Sequence, residues 1–438
     1  MSKLAQLLGL AVAVALGAGL TARAADELKP GDTLDQTTWQ KAEGLLPPEI
    51  LEHYKKNEYV NRIADWPASK YTWPPDFHAG TDANEGKFKL GERGDILEKE
   101  SGKQPPYILG RPFPTIDPSD PGAGVKIVWN YFYQFWYFGN IHAESQVNWI
   151  SPSGLERRTD NDVRFLYYDG VPVDERPANP QNFLTQQLIL VRAPADLNGT
   201  AALTWRYRDP GKRDSTWTYV PALRRVRAVS PANRSDGFLG SDMSQDDAHF
   251  FDGKPEDFVW TVKGEEDVLR LADPFSLNGE FKRVPVPGGG WRGVFKRMPM
   301  VGFQDPAWKG SPWAPLNFVL AKRRCWVIEG VPKDKYYLYG RIQLYIDKET
   351  YHGSYNRKFD WKGNLLNTYN VFADLNGAFE DSDYYGAGNI VYQGAENLRL
   401  NRATVMSAPQ DGGDPANDRR IRLEPAFFDA GALVRLGK

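Results

Sequence analysis

The chain has 438 residues, with 54 Lys and Arg against 56 Asp and Glu, which gives a formal net charge of -2. A charge so close to zero excludes a global field that recruits nucleic acid or an anionic membrane, so binding must be local. The single cysteine, Cys325, excludes an internal disulfide and is expected to be a small buried side chain on a strand. Aromatic residues make up 13% of the chain, beside 41 Gly and 32 Pro, a composition typical of many strands joined by turns.

Residues 1–24 have the pattern of a cleaved signal peptide. Lys3 provides a positive charge, an apolar stretch follows, and Ala22 and Ala24 stand in the A-x-A arrangement that a signal peptidase recognises. A transmembrane span needs about 20 strongly apolar residues, and this stretch is shorter and is followed at once by acidic residues. Because no cysteine lies near the predicted cut before Ala25, we expect a periplasmic protein without a lipid anchor.

Residues 25–124 are predicted to contain one helix and a long segment rich in Pro and aromatic residues. Residues 49–64 place apolar side chains at helical spacing, with Glu49 in the first turn and Pro67 beyond the end. The following segment, residues 66–120, carries more large apolar side chains than a disordered linker would. We therefore expect an ordered strap that lies across the main domain, either as a lid or as a permanent wall.

Residues 125–438 are predicted to form one curved β domain, a single folding unit with the strap. Residues 125–139 favour a helix by their spacing, although their aromatic density would also suit a strand. Residues 230–255 form a loop rich in Asp, Ser and Gly, with a helical turn around 245–250; loops of this length are often functional. Elsewhere, alternating segments separated by turn residues predict an antiparallel meander. The predicted strands are 146–150, 162–168, 183–192, 201–208, 216–220, 224–229, 258–262, 323–329, 341–346, 351–361, 365–372 and 399–406.

The most informative stretch joins a strand, an arginine cluster and an acidic loop. Trp217 and Tyr219 lie on one side of the strand, and Pro221 ends it. The cluster that follows comprises Arg224, Arg225, Arg227, Arg234, Asp242, Asp246 and Asp247. One interpretation is a half-buried lattice of arginines and carboxylates that fixes the loop at the mouth of a sheet. The other is an arginine-rich rim that holds an acidic head group.

This stretch resembles the signature of the proteobacterial domain-of-unknown-function family 1329, whose members are often described as outer-membrane lipoprotein-sorting-like proteins. Three further segments match the same family: residues 124–130 (GVKIVWN), 258–261 (FVWT) with 264–265 beyond, and 341–350 (RIQLYIDKET). The likeness covers nearly the whole mature chain and extends more distantly to the periplasmic lipoprotein carrier and its receptor. It implies a mainly β, lipoprotein-carrier-like fold with helices, in which a strongly curved, unclosed antiparallel sheet, a half-barrel, wraps around helices. An apolar hollow between the sheet and the helices takes acyl chains in the distant carriers.

Alternation along the predicted strands gives candidate residues for the wall of that hollow. They are Trp149, Phe165, Tyr167, Trp205, Tyr207, Trp217, Tyr219, Trp260, Trp326, Leu344 and Tyr345. A shift of one residue reverses the face, so alternation does not decide which side points inward. We expect a non-catalytic protein, without metal or cofactor, that binds a lipid or another hydrophobic or amphipathic molecule and passes it between the inner and outer membranes. The resemblance implies an exporter of the resistance-nodulation-division type and an outer-membrane β-barrel protein as partners. The near-zero net charge predicts no nucleic-acid partner.

Other classes of function stay open. The three loop carboxylates and His249 would be candidates for a metal site, but their spacing matches neither a calcium loop nor a zinc helix. A polysaccharide-active enzyme would need a pair of carboxylates, such as Asp160 with Asp162 or Glu265 with Glu266. The sequence has no nucleophile elbow, phosphate loop or dinucleotide fingerprint. In a structural envelope protein, the aromatic residues would simply fill the core.

Overall fold

A computed structural model describes residues 27–66, 73–272, 282–294, 300–375, 387–407 and 417–437. The predicted signal peptide lies outside the described residues and stays a prediction. The helices within these ranges are α1 (Pro48–Lys55), α2 (Pro75–Ala83), α3 (Ala123–Trp136) and α4 (Leu433–Leu436). Over the same ranges, no helix has both the length and the apolar character needed to cross a membrane.

The strands dominate the fold. They are β1 (Thr33–Leu34), β2 (Asn61–Ala64), β3 (Phe88–Leu90), β4 (Ile96–Glu98), β5 (Ile141–Ser151), β6 (Gly154–Tyr167), β7 (Phe183–Ala193), β8 (Ala201–Tyr207), β9 (Ser215–Val220), β10 (Arg225–Val229), β11 (Phe258–Ala272), β12 (Lys282–Pro285), β13 (Trp291–Val294), β14 (Val319–Pro332), β15 (Arg341–Asp347), β16 (Gly353–Phe359), β17 (Leu365–Leu375), β18 (Ala387–Asn397), β19 (Arg402–Ser407) and β20 (Asn417–Arg419). β3 and β4 form a separate hairpin, and the other strands belong to one sheet.

The main run of the sheet is antiparallel and unclosed. Its order is β11-β14-β15-β16-β17-β18-β19-β5-β6-β7-β8-β9-β10. β11 and β10 end this run without pairing to each other across the described residues. The predicted class, a mainly β fold with helices and a large unclosed antiparallel sheet, is confirmed.

Helix α3 lies on one face of the sheet, the inner face. The helix contacts widely separated strands of the run, since Gly124 packs against Trp260 of β11, at one end, and Phe135 packs against Tyr167 of β6. The sheet must therefore curve around the helix. A Cβ atom on Gly124 would lie 2.9 Å from the Cβ atom of Trp260, so only glycine permits this close approach.

The described part of the predicted strap, residues 73–120, packs on α3. The Nδ2 atom of Asn130 donates to the carbonyl oxygen of Phe113 at 2.7 Å, and the Oδ1 atom of Asn130 accepts from the backbone nitrogen of Phe113 at 3.0 Å. The backbone nitrogen of Ile108 donates to buried Asp169 at 2.9 Å. Because each end of these bonds is buried, this part of the strap forms a wall over α3.

Segments from both ends of the chain cover the outer face. Ile50 and Tyr54 of α1 belong to one apolar cluster with side chains from β11 and β14. Phe428 and Leu433 form a second cluster with β6, β7, β8 and β9. Large apolar side chains therefore occur on both faces of the sheet.

The structure agrees with most predicted elements. The helix predicted at 125–139 is confirmed as α3, each predicted strand overlaps an observed one, and Cys325 is buried in β14. The helix predicted at 49–64 is wrong beyond Lys55: Asn57 has a left-handed φ of 58°, and residues 61–64 form β2, which pairs in parallel with β14. The tertiary pairing of β2 overrides the helical spacing of that segment.

Candidate ligand-binding cavity

The inner face of β5 to β8 carries a cavity of about 160 Å³. Its floor includes a row of directly paired residues: Ala143, Val163, Ile189 and Ala202. These side chains are only half-buried, whereas the neighbouring Leu188 and Leu203, which face outward, are fully buried. The floor is thus apolar surface that the protein itself leaves incompletely covered.

The floor continues as a second row, and other strands complete the wall. The second row consists of Ile141, Phe165, Gln187 and Thr204, which also pair directly. The wall is formed by Val147, Tyr369, Gln393, Met406, Ser407, Asn417 and Arg419. Among residues 73–120, none lines this cavity, so the strap wall and the cavity are separate features.

A cover segment, residues 237–249, closes the cavity from above. It belongs to the predicted loop, which connects β10 to β11 along the chain, and it lies on the inner face of the sheet. It contributes Phe238, Met243 and His249 to the lining. Leu239 and His249 adopt left-handed φ values of 48° and 60°, which non-glycine residues rarely do. Such strain persists only where surrounding contacts impose it.

Three carboxylates fix the cover segment to three different cations. Asp242 accepts from Arg402 of β19 at 2.9 Å, and Asp246 accepts from Arg234 at 2.6 Å. Asp247 pairs with Lys358 of β16. The carboxylates of the predicted cluster are therefore buried anchors and do not form an exposed rim.

Arg234 links the cover segment to a buried group of charges. Its guanidinium contacts Asp214 at 3.1 Å and Asp252 at 3.4 Å, in addition to Asp246. Arg206 of β8, only 2% exposed, contacts Asp214 at 2.8 Å and Asp252 at 3.2 Å. Desolvation and the neighbouring carboxylates act in opposite directions on Arg234, and the net result is a raised pKa. Both arginines therefore stay charged and paired.

The remaining arginines of the predicted cluster lie elsewhere. Arg224, Arg225 and Arg227 are exposed at the β10 edge of the sheet, outside the cavity lining. In the part of the chain that the structure describes, none of them forms an ion pair. Of the arginines in the predicted cluster, Arg234 pairs with a carboxylate of the loop, Asp246. The other three lie at an edge strand, where cations discourage pairing with other chains.

His249 forms an aromatic part of the cavity wall. Its ring lies 4.2 Å from the ring of Phe135 and 4.4 Å from that of Phe165, and it is 3.3 Å from the hydroxyl of Tyr167. Desolvation among these rings, with the positive charge of Arg419, holds the pKa of His249 well below its ordinary value. The imidazole is therefore neutral at pH 7. Across the described ranges, no three side chains of the metal-ligand types come together as a site.

The predicted lining residues are divided between three environments. Phe165 lines the cavity, and Trp149 lies beside the cover, stacked on Arg157, which donates to the carbonyl of Leu239. Those in the core around α3 are Tyr167, Trp260, Trp326 and Leu344. Those on the outer face are Trp205, Tyr207, Trp217, Tyr219 and Tyr345. The outer-face residues do not line the cavity, because terminal segments bury that side: Trp205 donates to the carbonyl of Phe428 at 2.7 Å.

Sequence reasoning missed most of the residues that form the cavity. On β7 and β8, the outward-facing Leu188, Leu203 and Trp205 alternate with Gln187, Ile189, Ala202 and Thr204, an inward-facing mixture of small, polar and aliphatic side chains. That mixture is the signal, because such residues fill space poorly. The apolar C-terminal segment is a second signal, since its apolar side chains must pack against one face of the sheet and so leave the other face for the cavity.

The carboxylate pairs considered for catalysis do not line the cavity. Asp162 of β6 binds Arg164 at 3.0 Å, and Glu265 of β11 binds Lys348 at 2.6 Å. β6 and β11 are separated in the sheet by β14 to β19 and β5. One carboxylate of each pair is therefore engaged in an ion pair, and the two pairs lie on distant strands.

Comparisons with known proteins agree with the resemblance in sequence. The family model described as "Protein of unknown function (DUF1329)" matches residues 33–433. A solved domain from Vibrio parahaemolyticus, provisionally named an outer membrane lipoprotein-sorting protein domain, is 18% identical with a TM-score of 0.45, and the match covers 71% of this chain and 98% of that chain. A DUF1329 family protein from Desulfovibrio piger is 17% identical with a TM-score of 0.43, and the match covers 72% of this chain and 100% of that chain. A LolA superfamily protein from Nitrosomonas europaea is 11% identical with a TM-score of 0.39, and the match covers 68% of this chain and 95% of that chain. Among curated proteins, nothing matches the sequence.

Proposed function

We propose that this chain, which belongs to the DUF1329 family, is a non-catalytic periplasmic carrier that binds a lipid or another hydrophobic molecule in the cavity beneath the cover segment. The observation that supports this is the half-buried apolar row of Ala143, Val163, Ile189 and Ala202. Moving an apolar group onto this row removes water from both surfaces, which stabilises the complex by roughly 25 cal/mol per Å² of apolar surface buried.

The size of the cavity limits what it holds while the cover is closed. At about 160 Å³ it is similar to a protein cavity of about 150 Å³ that binds benzene. One ring or a short chain segment fits such a space. A larger molecule requires the cover segment to move away from β5 to β8.

Movement of the cover has a definite electrostatic cost. The pairs of Asp242 with Arg402 and of Asp247 with Lys358 must separate, and each leaves a charge without its partner. A partner surface that supplies replacement charges would lower this cost and so couple docking to uptake or release. On the family resemblance, we propose a resistance-nodulation-division exporter and an outer-membrane β-barrel protein as the donor and acceptor.

The test combines native mass spectrometry of the protein isolated from periplasm with binding of two apolar probes. Toluene fits the closed cavity, whereas N-phenyl-1-naphthylamine requires the cover to move. We expect a co-purified hydrophobic compound, and we expect Ala143→Leu, which fills the floor, to weaken toluene binding by about tenfold or more. The matched control Ala228→Leu, on exposed β10, should bind toluene like the wild type.

The alternatives give different results. An empty protein that takes up neither probe would contradict the carrier proposal and favour a structural role. Hydrolysis of an envelope glycan that is lost on changing one carboxylate would establish an enzyme instead.

A further inference from the structure

We propose that the cavity selects an uncharged ligand that carries a hydrogen-bond donor, a hydroxyl or N–H group, and that Asn161 is the residue that recognises this donor. The inference rests on the proposed function and adds the chemical class of the ligand. It departs from the expectation of an acidic head group held by arginines.

The side chain of Asn161 is held in one orientation. Its Nδ2 atom donates to the carbonyl oxygen of Ser145 at 3.3 Å and to the carbonyl and Oγ1 oxygens of Thr159, both at 3.2 Å. These acceptors surround the nitrogen, so the Oδ1 atom points away from them. Asn161 lines the cavity and is only 3% exposed.

The Oδ1 atom of Asn161 is buried and has no hydrogen-bond partner within the described chain. Buried carbonyl oxygens of side chains are almost always satisfied by protein, water or ligand. Since neither the paired strands nor the cover supplies a donor, the oxygen is available to a molecule inside the cavity. An amide oxygen accepts and does not donate, so the complementary group is a donor.

Two further oxygens extend this polar region across the cavity. Ser145 lies directly opposite Asn161 in the pairing of β5 with β6, and Gln245 belongs to the cover segment. The Oγ atom of Ser145 and the Oε1 atom of Gln245 are also buried without a partner in the described structure. Three buried oxygens that can accept a hydrogen bond therefore belong to residues of this one cavity, two on the floor strands and one on the cover.

The polar region adjoins the apolar floor. Ala143 and Val163 pair with each other two residues along the strands from Ser145 and Asn161. Two residues of a strand span about 7 Å, which is the length of a small ring with one substituent. An amphipathic molecule can thus lie with its apolar body on the floor and its donor at Asn161.

The charges around the cavity argue against an anionic group at this position. Arg234 is paired with three carboxylates, and Lys358 is paired with Asp247. Arg419 lines the opposite end, since it pairs with Ile141, four residues along β5 from Ser145. That spacing corresponds to about 13 Å.

The experiment compares phenol, toluene and benzoate, which share a benzene ring. Phenol carries a hydrogen-bond donor, toluene carries none, and benzoate carries a negative charge. Dissociation constants are measured by NMR titration for the wild type and for Asn161→Leu and Ser145→Ala. We expect the ratio of the toluene constant to the phenol constant to fall about tenfold in Asn161→Leu, which corresponds to the loss of one net hydrogen bond. Toluene binding to that variant shows that it is folded.

Each other result has a defined meaning. An unchanged ratio in Asn161→Leu would overturn the inference and assign the oxygen to a bound water, while the proposed function would stand because both rings still bind. Benzoate binding more tightly than phenol would overturn it in favour of an anion site near Arg419. Failure of all three to bind the wild type would contradict the proposed function itself. If Asn161→Leu does not fold, a fall of about threefold in the same ratio for Ser145→Ala supports the inference, and no fall contradicts it.

Discussion

The two halves of the inner face are built on different principles. Around α3, aromatic side chains from the helix, from β11 and from β14 pack against one another, and Gly124 brings the helix directly against Trp260. Over β5 to β8, a mixture of small, polar and aliphatic side chains leaves a space that the neighbouring strands and the cover segment enclose. The difference teaches that most aromatic side chains in this chain form packed core, whereas the candidate binding site lies where small and polar side chains interrupt that packing.

The largest expected effect concerns the anchor of the cover. Arg234→Ala removes a buried cation that three carboxylates surround, and breaking such a buried pair costs about 3–5 kcal/mol of the free energy of unfolding. Arg225→Ala, on the exposed edge, should change it by less than about 0.5 kcal/mol. Urea denaturation of both variants measures the difference. Equal losses would show that the two groups of arginines do not differ as described.

A second variant perturbs only the packed half. Gly124→Val places a side chain against Trp260, and overpacking of this kind costs about 1–3 kcal/mol of stability. Toluene binding by the folded protein should be unchanged, because Gly124 does not line the cavity. Unfolding and titration on the same sample test this separation. A loss of toluene binding in the folded protein would mean that the two halves are coupled.

An ion-pair cluster on the other side of the cavity strands should respond to pH. The neighbouring carboxylates of Asp162 and Asp418 raise the pKa of His142 to about 9 against desolvation, and His142 and Arg292 lower the pKa of Asp418 to about 2. Because the pKa of His142 is raised in the folded protein, its contribution to stability is fully present below the unfolded value near 6.5 and is lost as pH rises towards 9. Because the pKa of Asp418 is lowered in the folded protein, its contribution to stability is present above about pH 3.8 and is lost as pH falls towards 2. The cluster therefore contributes most between about pH 4 and 6.5.

His142→Gln tests this contribution. Between pH 6 and pH 9, the wild type should lose about 1 kcal/mol more of its free energy of unfolding than the variant, since the partly exposed pair is weakened by solvent screening. Parallel pH profiles for the two proteins would exclude the cluster as a contributor.

The smallest expected effect on stability comes from filling the cavity. Ala202→Leu adds apolar volume where space exists, so the free energy of unfolding should change by less than about 1 kcal/mol. Ala201→Leu, on the fully packed outer face, should lose about 1–3 kcal/mol by overpacking. Thermal and urea unfolding compare the two. A large loss for Ala202→Leu would mean that the floor is already filled.

The sequence predicted the elements well because their signals are local. Strand alternation, the helical spacing of 125–139 and the composition of 230–255 each depend on neighbouring residues, and the structure has the corresponding elements. The helix predicted at 49–64 failed because Asn57 turns the chain and the strand pairing of β2 is decided by β14, far away in sequence.

The candidate site was less predictable because its geometry is decided by long-range contacts. Alternation gives two faces for each strand, and only the terminal segments decide which face of β7, β8 and β9 is sealed. The partners of the loop carboxylates are equally remote: Asp247 pairs with Lys358 and Asp242 with Arg402, which no local pattern connects.

The most direct test of the central claim, that the cavity over β5 to β8 binds an apolar ligand, is an NMR titration of the protein with 13C-methyl methionine. Met243 of the cover and Met406 of β19 line the cavity, whereas Met300 does not. On addition of toluene, the methyl resonances of Met243 and Met406 should shift and broaden together while that of Met300 stays in place. Unchanged resonances of Met243 and Met406 at toluene saturation would contradict the account.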